Sequence, residues 1–319
     1  MPYDHRKTAP RTLALALALA GCCAALAGCG ASQASEDSTA SGKGGTPTPP
    51  PAVDATPTAP GAPDASTTTP TAPTASTTAV PSSPSGAQGS RSLAGRTVVV
   101  DPGHNPGNFK HPREINAKVD IGTARKECDT TGTSTNGTAA QAAYTEAAFT
   151  LDVSHRVRDL LTARGAKVVF THDANRPWGP CIDERAAIGN AARADAVVSV
   201  HADGSAVGNR GFHVILPARV SAGAADTGPI VGPSRELGEA VADRFARATG
   251  TKPANYLGGG TGLDVRKDLG GLNLSTVPKV FVECGNMRDP KDAALLTSAA
   301  WRQKAAQGIA DGIATYLNG

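Results

Sequence analysis

Residues Thr97 to His104 read TVVVDPGH, and this stretch sets the class of fold. Its valines fill odd and even positions alike. A strand with one wet face alternates apolar with polar residues, whereas a strand covered on both faces does not. Pro102-Gly103 then closes the run as a turn. Four similar runs follow: AKVVFTHD from Ala166 to Asp173, ADAVVSVHADG from Ala194 to Gly204, GFHVILP from Gly211 to Pro217, and VPKVFVECGN from Val277 to Asn286. Helical patterns lie between them. Ala147 to Leu161 sets Phe149, Val153, Val157 and Leu160 on one stripe, and Gly165 follows as a stop. Ser234 to Ala248 repeats the spacing with Leu237, Val241 and Phe245, and Asp183 to Arg193 is a short Ala-rich segment. Asp289 to Leu317 reads as one terminal helix. The alternation predicts an α/β domain with a mostly parallel sheet and helices on both faces.

In open sheets of this kind ligands bind beyond the carboxyl ends of the strands. His104 follows VVVDPG, His201 follows VVSV, and Glu283 follows KVFV, so the three gather along one edge. Glu146 opens the helix of the first crossover. Two histidines and a glutamate form a zinc-type donor set with a fourth position left for water. A further carboxylate then serves as general base. Taken singly, each residue has a plainer reading: a satisfied polar histidine, or for Glu146 a carboxylate at a helix start. Asp101 has two readings, a carboxylate hydrogen-bonded to a ligand histidine or a turn residue before Pro102-Gly103. His172, at another strand end, either lines the cleft or is solvated.

Four segments carry a family resemblance: DPGHN at 101–105, TEAAF at 145–149, SVHAD at 199–203 and VECGN at 282–286. In this order they resemble the motifs of bacterial zinc-dependent N-acetylmuramoyl-L-alanine amidases of the amidase 3 type, in an actinobacterial lipoprotein form. The resemblance runs from Arg96 to the C-terminus. It implies a six-stranded sheet and one Zn2+ per chain held by His104, Glu146 and His201, with Glu283 as the catalytic glutamate. The implied reaction hydrolyses the amide between N-acetylmuramic acid and L-alanine of the peptidoglycan stem peptide, in wall turnover or remodelling. Two departures touch the rim: Asn105-Pro106-Gly107-Asn108 replaces the usual glycines, and Asp203 stands where Asn is common. Residues 105–143 form a Gly/Thr/Asn-rich insertion longer than ordinary loops. It is expected to shape access to the site or to block it.

The first 90 residues differ in kind. Arg6, Lys7 and Arg11 precede the apolar run TLALALALA, which reads as an export signal over residues 1–28. Leu26-Ala27-Gly28-Cys29 is similar to the lipobox of bacterial lipoproteins, which makes Cys29 the expected lipid-bearing residue; Leu19-Ala20-Gly21-Cys22 fits the same pattern. No aromatic residue lies between Tyr3 and Phe109, and TPTPPP and TTTPTAPT are Pro/Thr-rich. Residues 29–92 therefore read as a disordered tether, and residues 93–319 as the catalytic domain. The expected location is the outer face of the cytoplasmic membrane, facing the wall. Peptidoglycan is the expected partner, and the membrane is met only through the lipid. The chain is read as a monomer. A net charge of +3 without long charge runs excludes a strongly basic nucleic-acid binder.

An exported domain permits disulfides. Cys128 in the insertion and Cys181 before a helix are the expected pair, and Cys284 reads as a small buried thiol. Two other functions compete with the amidase: another zinc peptidase of the wall, and a tethered peptidoglycan-binding lipoprotein without catalysis.

Overall fold

The computed structural model describes residues 92–137 and 142–319. The expected signal peptide, Cys29 and nearly all of the tether lie outside the described residues. The elements in chain order are β1 (Thr97–Pro102), α1 (Pro112–Ile115), β2 (Lys118–Asp120), β3 (Arg125–Glu127), α2 (Glu146–Thr162), β4 (Lys167–Phe170), α3 (Ile182–Ala191) and β5 (Ala196–Asp203). They continue with β6 (His213–Pro217), β7 (Ser221–Ala222), β8 (Ala225–Asp226), α4 (Val231–Thr249), β9 (Leu263–Arg266), α5 (Gly270–Asn273), β10 (Lys279–Asn286), α6 (Pro290–Leu296) and α7 (Ala299–Asn318). No helix among them is long and apolar enough to cross a membrane.

The central sheet has six strands in the order β4-β1-β5-β10-β6-β9. The first four are mutually parallel, and β6 runs antiparallel to β10. Five strands fall on the five apolar runs. The sixth, β9, has the sequence LDVR, too short and too polar to stand out by pattern, and it is held by parallel pairing with β6. The expected single terminal helix is two helices. Asp289 caps α6 through Lys291 and Asp292 N–H groups, with Pro290 in its first turn. Ser298 caps α7 through Trp301 N–H. Each cap satisfies N–H groups that a continuous helix would have bonded internally, so the chain restarts there.

The two faces of the sheet are unlike. Val98, Val100, Val198, Val200, Val214, Val280 and Val282 point into one core with α2, α4 and α7. There α7 packs closely on α4: a Cβ added to Gly312 would stand 2.5 Å from Val241 Cα. The alternate residues face the other way. At the N-terminal ends these are Val99 and Val197, which join Ala194 in a small second core beneath α3, whose Gly189 lies against Val197. Further along the same strands they become Asp101, Ser199, His201 and Glu283. Apolar cover ends halfway along this face, and the polar half carries the site.

The 105–143 insertion holds α1 and the β2–β3 hairpin. Cys128 and Cys181 are joined as a disulfide, which ties this segment, just after β3, to the start of α3. Cys284 is free and buried.

Candidate active site

His104 follows β1 in a left-handed backbone conformation (φ 59°), uncommon for a residue with a side chain. Its Nδ1 lies 3.1 Å from both Asp129 Oδ1 and Thr130 O. That bonding turns Nε2 toward Glu146 Oε2, 3.3 Å away. His201 projects from β5 and brings Nδ1 to 2.9 Å from Glu146 Oε1. Its ring stacks on Phe281 at 5.2 Å and meets His104 edge-on at 5.1 Å. Gly103 makes room for it, since a Cβ there would fall 2.4 Å from His201 Cε1.

Glu146 begins α2, which Thr145 caps through Ala148 N–H. Its Oε1 also accepts from Ala202 N–H and its Oε2 from Thr133 N–H. Each carboxylate oxygen is thus held by one backbone donor and faces one imidazole. Gly132, at φ +71°, lets the loop come this close; a Cβ on it would meet both His104 and Glu146.

One ligand atom from each of His104, Glu146 and His201 lies within 4.8 Å of the others. Ligands about 2.0–2.2 Å from a shared zinc ion would stand at comparable separations, and two nitrogens with one carboxylate oxygen suit that metal. The electrostatics favour a cation. Burial opposes charging His104, but Glu146 and Asp129 outweigh it and push the imidazole up to about 10. Burial would likewise raise Glu146, yet His104 and His201 hold it well below the usual carboxylate range.

Glu283 sits beside His201 in the β10–β5 register. Its Oε2 is buried without a hydrogen-bond partner. Burial, together with the Glu146 and Asp203 carboxylates, raises Glu283 well above its ordinary value. The four residues expected from the strand ends and the first crossover line one cleft of about 390 Å³.

Asp101 corrects the sequence reading. It bonds no histidine; it accepts from Thr171, Arg185, Ser199 and Lys279. It is fully buried, and although burial raises its pKa, Lys279 and Arg185 hold it well below the usual range. The carboxylate behind His104 is Asp129, which sequence reasoning missed. Arg185 links the two, donating to Asp129 Oδ2 at 3.0 Å and to Asp101 Oδ1 at 2.7 Å. The one available signal was position: Asp129 follows the cysteine expected to be bonded. His172 is buried, with Nε2 3.0 Å from Pro102 O.

Residues 98–315 match the family Amidase_3, N-acetylmuramoyl-L-alanine amidase. The chain belongs to this family. It is similar to the amidase Rv3717 of Mycobacterium tuberculosis, with 39% identity over 244 residues, covering 75% of this chain and 93% of that protein. The crystal structure of the amidase Ami1 from Mycobacterium smegmatis superposes with a TM-score of 0.63 at 40% identity, covering 71% of this chain and 99% of that one. Ami1 from Mycobacterium abscessus gives 0.62 at 42% identity, covering 70% and 100%. The protein is accordingly a hydrolase of the amidase class, with the α/β fold that the strand pattern predicts.

Proposed function

We propose that the chain hydrolyses the amide between N-acetylmuramic acid and L-alanine in peptidoglycan, with His104, Glu146 and His201 holding one zinc ion and Glu283 moving the proton. The observation that carries this reading is the convergence of the three ligand atoms beside a buried glutamate oxygen that has no partner. Bound there, zinc would supply Lewis-acid polarisation of the amide carbonyl and a more acidic water.

The chain's own residues do the rest. The Asp129 carboxylate accepts the Nδ1 proton of His104, which leaves the Nε2 lone pair as the donor. Backbone N–H groups of Thr133 and Ala202 keep the Glu146 carboxylate in place. The raised Glu283 carboxylate is suited to take a proton from the attacking water and return it to the amine nitrogen of L-alanine. Asp203, which accepts from Tyr256 Oη at 2.6 Å, is held on the cleft wall.

The test uses the full chain. Zinc per chain is counted, and products from purified peptidoglycan are identified by mass spectrometry with and without a chelator. One zinc per chain and free stem peptides beginning with L-alanine, lost on chelation, support the reading. Absence of product from the zinc-loaded protein overturns it in favour of a tethered binding lipoprotein. Cleavage within the peptide instead would make it a different wall hydrolase.

We further infer that residues 1–28 are a lipoprotein signal peptide, that Cys29 carries the lipid, and that residues 29–92 tether a monomeric enzyme to the outer face of the cytoplasmic membrane. The lipobox-like sequence and the Pro/Thr composition support this reading. Labelling with a radioactive fatty acid tests it: Cys29→Ala abolishes the label, whereas persistence of the label would move the anchor to Cys22.

A further inference from the structure

The reaction proposed above leaves half of the substrate without a place. The amide carbonyl is borne by a sugar and the amide nitrogen by a peptide. The two halves therefore leave the reacting atoms in different directions, and the glycan continues past the muramoyl residue both ways. Its track must be open-ended.

Gly132 and Thr133 form a thin partition. On one side is the cleft with Glu146 and Glu283; on the other is an open groove of about 400 Å³. Asn105, Pro106, Phe109, Thr131, Ser134 and Arg288 line that groove. A second cavity beside His104 and His201, about 220 Å³, is roughly half the size of the groove and is bordered by the Lys126–Asp268 ion pair.

We propose that this groove binds the glycan strand, with the face of a pyranose ring on Phe109 and Arg288 donating to a sugar hydroxyl or acetamido oxygen. The inference rests on the amidase reading for its substrate. Phe109 is 66% exposed, and it is the one aromatic among the three exposed large apolar side chains of the described residues. It is also firmly mounted. The preceding Asn108 is fully buried, donates to Thr130 O at 2.7 Å and accepts from Gly179 N–H at 2.9 Å. Gly107 rests against Pro177 O so closely that a Cβ would stand 2.0 Å from it. An aromatic ring held out on a rigid turn loses little entropy when something covers it. Arg288 is set by its own N–H to Asn286 Oδ1, and its Nη1 lies 3.4 Å from Ser134 O. A guanidinium has five donors, so most remain for a ligand. An apolar face flanked by hydroxyls, amides and one guanidinium matches a pyranose, which carries C–H groups on its faces and hydroxyls on its rim.

The experiment titrates a peptide-free tetrasaccharide of alternating N-acetylglucosamine and N-acetylmuramic acid into the full chain by calorimetry. Phe109→Ala should weaken binding about fivefold, Phe109→Trp should restore it, and Arg288→Ala should weaken it too. On polymeric peptidoglycan Phe109→Ala should raise KM and leave kcat unchanged. Its melting temperature should match the parent, since the ring is exposed. Absence of tetrasaccharide binding, or equal binding by Phe109→Ala, overturns the proposal. So does loss of binding to free stem peptide in Phe109→Ala while the tetrasaccharide is unaffected, which would give the groove to the peptide. If the tetrasaccharide binds through Phe109 but no substrate is cleaved, the groove assignment stands and the amidase reading falls.

Discussion

The two faces of the central sheet are made by the same strands and serve opposite ends. On the face under α2, α4 and α7 the side chains are apolar from end to end, and Val98, Val100, Val198, Val200, Val280 and Val282 are fully buried. On the other face the apolar cover stops at Val99 and Val197, and the next positions are Asp101, Ser199 and His201. One face supplies stability by area removed from water. The other gathers charges that resist burial, and the fold tolerates them only where they pair or are used. Changes on the helix face should therefore alter stability and spare the chemistry, while changes at the cleft should do the reverse.

The sharpest break is Glu283→Gln. Turnover should fall by roughly 10²–10⁴-fold, with zinc content unchanged. Stability of the metal-free protein at neutral pH should rise, because an unpartnered buried carboxylate is removed. The pH dependence has a definite sign. Glu283 is raised in the folded state, so it lowers stability as pH climbs from the unfolded value of about 4.3 toward the folded one. Glu283→Gln should lose that slope in denaturant titrations.

Next in size is Asp101→Ala, which would leave Lys279 and Arg185 buried without their shared carboxylate. A loss of about 3–5 kcal/mol is expected in chemical denaturation. Removing the disulfide with Cys128→Ser and Cys181→Ser should cost about 2–4 kcal/mol. It should also weaken metal binding at the proposed site, because Asp129 and Thr130 follow Cys128 and both touch His104. The smallest effect is on the helix face: Gly312→Ala, pressed against Val241, should cost about 1–3 kcal/mol, with activity per folded molecule unchanged. A change in KM there would contradict the separation of the two faces.

The α/β class, five of the strands and the four residues of the cleft are legible in the amino-acid pattern. Short continuous β-branched runs bounded by turn residues read as buried strands, and His104, His201 and Glu283 sit where such strands end. The motif order carried Glu146 as well. Three matters waited for the tertiary structure. Asp129 lies 25 residues beyond His104 in sequence, on a loop whose path is set by the disulfide and by Arg185 rather than by any local periodicity. Asp101, inside the same DPGHN motif and on the same face of the sheet as His201, is taken by a buried pair of cations, Arg185 from α3 and Lys279 from β10, which only the packing of those elements brings to it. The strand LDVR and the break between α6 and α7 rest on a partner strand and on two side-chain caps, which a hydrophobic pattern does not record. Local periodicity reports which way a side chain points. Which distant side chain it meets there is decided by loop paths and packing, and at this site those meetings orient His104, Glu146 and His201.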